Sequence, residues 1–499
     1  MNKEQVLRFI NKVEANYPVD TWEIYGIRIW PFVRIRLARG LFEDTLSTDG
    51  PSPPAPSLSR WHNGLKVLHQ LPVLLTAWRK LRRFRRGVDF VYLAYAAHRT
   101  LLPEGWFNRM ADPLMALQNN AGQRSVLLEY EESFSYAHSR VHESSVVSLQ
   151  PLTFLFYLVG TIHHLIDRRA PRSLTRYPAF LSELRQLGFD TIAHELSLSR
   201  ITYRATVMRY YSRFYQRWLL RLRPSAVFVV CYYSFESMVM CDAAYRLGIP
   251  TVDLQHGIQG PQHTSYARWN KVPPNGYSLL PRIFWTWDEP SATVIRSWPG
   301  SSEAHQPFVG GNPWLAYWQT EQILVQPKRI PRKIVLYSLQ PIPDLFPVFL
   351  REAIVATPEV DWWVRLHPRQ AHRQAAITDT IRTYGLSDRV NVSDATRLPL
   401  PAVLAQTSVH VTQWSSVVWE AAAYGIPSVV IHPSGLAVFA DQPAESMIHF
   451  AQSADEVTKL VRQLARSSTV VSDLAHNNQE SLVRLTQLIH QLSLAKECR

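Results

Sequence analysis

Thr412-Gln-Trp-Ser-Ser-Val-Val-Trp-Glu-Ala-Ala-Ala-Tyr-Gly-Ile-Pro-Ser-Val-Val-Ile-His432 reads as the end of a strand, a two-serine turn, a short helix and a second strand. Ser415 and Ser416 suit a helix N-cap. Gly425 suits the left-handed residue after a helix, Pro427 prevents resumption, and Ser428 to Ile431 form the next strand. Hydroxyls and unsatisfied N–H groups therefore meet at a helix N-terminus, a favourable place for phosphate. Glu420 follows Ser416 by four residues, so it shares that face one turn further in, where a carboxylate would meet a sugar or ribose hydroxyl. Taken alone, the same pattern is also that of an ordinary capped helix between strands.

Two further stretches have the same character. Val360-Asp-Trp-Trp-Val-Arg-Leu-His-Pro-Arg369 is a buried-strand pattern that ends in His367-Pro368, flanked by Arg365 and Arg369. Pro368 disfavours helix at His367, and two guanidinium groups suit phosphate. Ile249-Pro-Thr-Val-Asp-Leu-Gln-His-Gly-Ile-Gln-Gly260 also runs from a short strand into a polar triplet, Gln255-His256-Gly257. Gly257 admits close approach of a ligand to the backbone. Ligands of open α/β sheets bind beyond the carboxyl ends of strands, where all three motifs fall.

In order and spacing, Gln255-His256-Gly257, then Leu366-His367-Pro368, then Ser415-Ser416 with Glu420 resemble the bacterial GT-B glycosyltransferases. The resemblance is to the capsule and surface-polysaccharide class, and to the teichoic-acid glycerophosphotransferases. It covers roughly residues 225 to 435; the first 220 residues match no pattern that identifies an acceptor. It implies an α/β, GT-B-like fold of two facing Rossmann-like domains with an N-terminal helical extension. It places His256 at the catalytic cleft, with Gln255 and Gly257 lining it. His367, Pro368, Ser415 and Ser416 would hold the nucleotide and phosphates of the donor, Arg365 and Arg369 would add charge, and Glu420 would hold a hydroxyl. A neutral imidazole titrates near working pH, so His256 is the candidate general base. Asp288 is a second catalytic candidate, with Glu289 and Asp112 as further carboxylates.

A chain of 499 residues exceeds one core, so several domains are expected. The apolar fraction of 46% excludes a disordered chain. The net charge of +13 draws polyanions: nucleotide diphosphates, an anionic membrane surface, or nucleic acid. No nucleic-acid module accompanies the basic runs, so nucleic acid is not expected as a partner. Cys231, Cys241 and Cys498 lack zinc spacing and imply no disulfide framework, which fits a reducing cytoplasm. Most of the sixteen tryptophans are expected in the core, some in a sugar cleft.

The expected division is 1–86, a basic, mostly helical extension; 87–313, a Rossmann-like acceptor domain; 326–470, a Rossmann-like nucleotide-sugar domain; and 471–499, a C-terminal helix. Residues 45–58 read as a Pro/Ser-rich linker. Trp61 to Arg86 reads as a basic amphipathic segment kinked at Pro72, suited either to a membrane surface or to a solvated helix end. Val88 to Tyr95 and Ser125 to Tyr130 read as strands, with a polar loop between them carrying His98, Arg99, Glu104, Arg109 and Asp112. The run from Pro151 to Ile162 falls short of the ~20 residues a spanning helix needs and reads as a buried helix or a surface that dips into lipid. Ala226 through Tyr233 reads as a strand, followed by a helix ending at Gly248, a βαβ unit that implies a parallel sheet.

G-x-G-x-x-G, the P-loop, D-x-D, G-x-S-x-G and H-E-x-x-H are absent from the sequence. The resemblance implies a transferase, expected to be cytoplasmic and at the inner face of the membrane. It would take a nucleotide-sugar as substrate, with no cofactor and no metal, and a saccharide acceptor, lipid-linked or not. A CDP-polyol phosphotransferase and a non-catalytic polysaccharide assembly protein are the alternatives; a sugar-nucleotide epimerase lies further off.

Overall fold

The computed structural model describes residues 1–43, 75–84, 87–102, 104–130, 141, 145–166, 173–257, 259–300, 304–320, 332–340, 345–367, 370, 373–439, 447–467 and 478–497. Pro368, Arg369, the 45–58 linker and most of the basic segment 61–86 lie outside them. The chain forms two units, one of residues 1–313 and 477–499, the other of residues 314–476.

Near-continuous apolar runs such as Phe90–Tyr95 and Ala226–Val230 become the interior strands of a parallel sheet, buried on both faces. The first sheet runs, edge to edge, Gln306–Val309, Ile283–Thr286, Thr251–Leu254, Ala226–Val230, Phe90–Tyr95, Ser125–Tyr130, Val146–Ser148. Every adjacent pair is parallel. Alternate residues face opposite ways. Val91, Leu93, Val227 and Val229 pack with the helices Lys3–Asn16, Trp30–Glu43, Gln150–Ile166 and Leu198–Leu222. Tyr92, Ala94, Phe228 and Val230 pack on the other side with Leu114 and Met115 and with Leu485 and Ile489 of the helix Asn478–Glu497.

The expected N-terminal extension is therefore, over residues 1–43, part of this core. Its anchor is Arg34, wholly buried, whose Nε donates to Glu14 Oε1 at 3.1 Å and whose Nη2 donates to the Ala267 carbonyl at 2.7 Å. Trp30 Nε1 and the Asn270 N–H donate to the same carboxylate, at 3.0 and 2.8 Å. A buried ion pair is tolerable only with its remaining lone pairs and protons satisfied in this way.

The polar stretch after Phe90–Tyr95, expected as a loop, forms an antiparallel hairpin of Arg99–Leu102 and Gly105–Asn108. Buried Glu129 at the end of its own strand fixes it, accepting from Arg99 Nε at 2.9 Å and Asn108 Nδ2 at 3.1 Å.

The second sheet runs Val390–Asn391, Val360–Arg365, Lys333–Ser338, Thr407–Thr412, Ser428–Val430, Ile448–Phe450, again wholly parallel. Val335, Tyr337, Val409 and Val411 pack with one set of helices, Ile334 and Leu336 with the other. In chain order both sheets begin at a central strand, lay two strands to one side and return to build the other. That is the doubly wound order 3-2-1-4-5-6, with one further strand in the first unit. Both units are thus of the parallel α/β, Rossmann-like type expected for a GT-B-like chain.

Candidate functional site

A doubly wound sheet opens a crevice where the strand order reverses. In the first unit this is between Phe90–Tyr95 and Ala226–Val230. Beyond Val230 the chain turns at Cys231, which is left-handed (φ +59°), and enters the helix Phe235–Leu247, capped by Ser234 Oγ accepting from the Ser237 N–H at 3.1 Å. The turn brings Cys231 Sγ to 2.9 Å and Tyr233 OH to 3.0 Å from Nε2 of His256, which follows the neighbouring strand Thr251–Leu254. The His98 ring lies 5.7 Å from the His256 ring, and His263 lies 5.9 Å from the ring of Tyr233.

His256 as a residue is half-buried. Desolvation nevertheless lowers it to about 4, the Arg109 charge adding to the effect and the Leu254 carbonyl opposing it. Burial lowers His98 as well, with the charges of His256 and Arg109 contributing. His256 is therefore neutral at pH 7. With thiol and phenol both able to donate to Nε2, the proton belongs on Nδ1, an assignment made from the hydrogen-bond partners.

Behind the site, buried Asp253 accepts from the Tyr232 N–H at 3.0 Å and Tyr266 OH at 2.8 Å. Burial outweighs both bonds and raises its carboxyl to about 8.

Gln255 holds the backbone around His256. Gln255 Oε1 accepts from the Trp287 N–H at 2.6 Å, and its Nε2 donates to the Gly257 carbonyl at 2.8 Å. Asp288 caps the helix Glu289–Arg296, accepting from the Ser291 N–H at 2.8 Å. Glu289 is exposed and paired with Arg296, and Asp112 accepts from the Asn108 N–H at 2.7 Å. Gly257 faces open space: a Cβ there would meet nothing within 4 Å.

The crevice of the second unit lies between Lys333–Ser338 and Thr407–Thr412. Thr412 Oγ1 donates to the Ser338 carbonyl at 3.1 Å and accepts from the Ser415 N–H at 3.2 Å, which folds the serine turn over the end of its strand. The following helix is Val417–Ala423, and Gly425 takes the left-handed conformation, φ +68°. Ser415 Oγ accepts from the Val417 N–H at 3.3 Å. Ser416 makes no capping bond, because its backbone is already helical (φ −62°, ψ −15°) and its hydroxyl does not reach back over the first turn. Glu420, on that turn, is half-buried.

His367 follows Val360–Arg365 and its carbonyl accepts from the Gln370 N–H at 2.7 Å. Arg365 Nη1 donates to the Leu398 carbonyl at 2.7 Å and also to that of Ala395, so the guanidinium closes the end of the helix Ser393–Arg397. Wholly buried His410 spans Ser338 Oγ (2.7 Å from Nε2) and Ser428 Oγ (2.9 Å from Nδ1), and burial lowers it to about 3. It is a neutral bridge across three strands.

Gln255, His256, Gly257 and Asp288 thus gather at neighbouring strand ends of the first unit, while Arg365, His367, Ser415, Ser416 and Glu420 belong to the second. Cys231 and Tyr233, which the sequence reading left inside a strand, join the first group. Among the described residues no three His, Cys, Asp or Glu side chains come together as a metal-ligand set.

No protein-family model matches the sequence, and no curated protein does. Solved structures that the chain is similar to include a UDP-N-acetylglucosamine 2-epimerase, 12% identical, covering 83% of this chain and 97% of that one, with a TM-score of 0.46. The UDP-GlcNAc 2-epimerase of Neisseria meningitidis, solved with UDP-GlcNAc bound, is 11% identical over 80% and 100%, TM-score 0.42. The calicheamicin glycosyltransferase CalG4 is 15% identical over 80% and 97%, TM-score 0.39.

Proposed function

We propose that the protein is a GT-B-type glycosyltransferase that moves a sugar from a nucleotide-activated donor to a saccharide acceptor, lipid-linked or not, in bacterial surface-polysaccharide synthesis at the inner face of the membrane. The reading is supported above all by where the polar motifs fall. Two doubly wound sheets each carry them at the ends of the strands flanking or adjoining the reversal of strand order, the position at which such sheets bind ligands. The first unit would take the acceptor. Neutral His256 would accept the proton of its attacking hydroxyl, which approaches Nε2 in place of the Cys231 or Tyr233 donor. The second unit would take the donor, with His367, Ser415 and Ser416 on its phosphates and Glu420 on a hydroxyl. Phosphate charge neutralised by Arg369, side-chain donors and backbone N–H groups leaves no step that requires a metal.

The test is a thermal-shift and calorimetric series with CMP, CDP, UDP, GDP and ADP, with and without magnesium. The expected result is stabilisation by one base class, independent of magnesium and lost in His367→Ala. Absence of a shift with every nucleotide would overturn the donor assignment. Interconversion of a sugar-nucleotide into its epimer without acceptor would replace transfer by epimerisation.

A further inference from the structure

Away from the strand ends, a cavity of about 240 Å3 in the first unit is lined by Phe32, Arg36, Glu195, Arg200, Tyr203 and Arg204, with Ile201 behind them. Three guanidinium groups face one carboxylate there, and that carboxylate is committed to Arg200. Arg204 donates to Tyr157 OH at 3.2 Å, a neutral partner, and lies over the rings of Tyr157 and Tyr203. Arg36 lies 5.5 Å from the centroid of the Phe32 ring; among the described residues it makes no hydrogen bond and no ion pair, and the Glu195 charge reaches it only at longer range. Burial, then the charges of Arg204 and Arg39, hold its affinity for the proton below the ordinary arginine value, outweighing the pull of Glu195 and Tyr157. A half-buried guanidinium with no direct hydrogen bond, beside two others and one shared carboxylate, is an unfinished anion site, and the planar fork of arginine fits phosphate oxygens two at a time.

Two of the lining residues, Tyr203 and Arg204, touch the helix Gln150–Ile166. Tyr157 receives Arg204, Thr161 Oγ1 lies 3.1 Å from Tyr203 OH, and the His164 ring lies 5.5 Å from that of Tyr203. At 100° per residue, the next face of this helix is that of Leu158, Ile162, Leu165 and Ile166. These side chains are 42%, 51%, 78% and 67% exposed, an apolar stripe at i, i+4, i+7 and i+8 in open solvent. Among the described residues no helix is long and apolar enough to cross a membrane. An apolar face on such a helix suits lipid lying along it.

We propose that this cavity binds the phosphate or diphosphate of a lipid-borne anion, with the apolar chain lying along the Leu158–Ile166 stripe. The assignment deepens the acceptor half of the proposed function. It rests on that reading only for its place in the reaction, since the geometry is that of a binding site whatever is transferred.

The test reads binding alone, on the full chain. Inorganic pyrophosphate is titrated by calorimetry, and flotation is measured with phosphatidylcholine vesicles with and without phosphatidic acid. Arg36→Gln should weaken pyrophosphate by about tenfold or more, the loss of charged hydrogen bonds, and reduce flotation on the anionic vesicles. Arg36→Lys should retain most of both. The same charge change at exposed Arg185, on the helix Tyr177–Gln186, should leave both unaltered. Leu165→Ser with Ile166→Ser should keep pyrophosphate binding and lose flotation. No pyrophosphate binding, or equal losses in Arg36→Gln and Arg185→Gln, would overturn the site. Pyrophosphate binding without vesicle binding, or flotation indifferent to the serine pair, would overturn the lipid and leave a soluble phosphate ligand.

Discussion

His256 shows how little a histidine's chemistry depends on its type alone. Desolvation and the Arg109 charge hold it neutral down to about 4. Its base form is therefore present above that value and lost as pH falls through it. The acid limb of kcat/KM should lie near pH 4, far below the unperturbed ~6.5 of the side chain. A limb near neutrality would assign the base to another group. His256→Ala should lower kcat by about 10²- to 10⁴-fold with nucleotide binding retained. Asp253 carries the opposite sign. Its carboxyl is raised to about 8 in the fold, against 3.8 for the ordinary group, so between those values the folded state holds a proton the unfolded chain has lost. Stability from this group is complete below about 4 and declines as pH rises towards 8. Asp253→Asn should flatten that decline in denaturant titrations at a series of pH values, and an unchanged slope would remove Asp253 as its source. Sequence pattern located His256 because a polar triplet ended an apolar run. It passed over Cys231 because Val-Val-Cys-Tyr-Tyr continues the apolar pattern through a turn that only the left-handed backbone reveals. It passed over His410 because a histidine bridging two serines inside a sheet leaves no local sign.

Among the elements, the parallel strands were the most legible. Burial on both faces demands long apolar runs, and 226–230, 251–254, 360–365 and 407–412 lie within or close to the stretches that show them. The hairpin 99–108 was not legible, since its polar residues are recruited by Glu129, which is distant in sequence. The N-terminal helices read as helices, but a basic composition concealed that Arg34 is buried on Glu14. The contact between Gln150–Ile166 and Leu198–Leu222 depends on a feature no periodicity displays. A Cβ on Gly160 would stand 2.6 Å from Val207 Cγ2 and 2.9 Å from its Cα, and a backbone atom cannot step aside as a side-chain tip can. Gly160→Ala should cost about 1–3 kcal/mol in chemical denaturation, against the modest gain alanine brings to an open helix. A stabilised variant would mean that the two helices separate freely.

For the whole molecule, the chain divides after residue 313, and its two ends both belong to the first unit. Residues 1–43 join the first core, and the helix Asn478–Glu497 returns to it, burying Leu485 and Ile489. Arg484 Nη2 donates to the Val309 carbonyl at 3.2 Å, fastening the edge strand Gln306–Val309. Each buried leucine or isoleucine contributes on the order of 1.5–3 kcal/mol. Deleting residues 478–499 should therefore speed hydrogen exchange in 283–286 and 306–309 and leave 333–338 and 407–412 protected. Equal loss in both groups of strands would show that the units do not unfold separately.

The returning helix also sets an order of events during translation. Residues 314–476 are complete while the ribosome still holds the last segment of the first unit, so the later-encoded sheet is the first that can reach its final state. Until the closing helix emerges, the face with Trp285 and Phe308 must wait uncovered. A stall or stop just before the codons of residues 478–497 would release a chain with one finished half and one adhesive half, a natural substrate for chaperones and proteases.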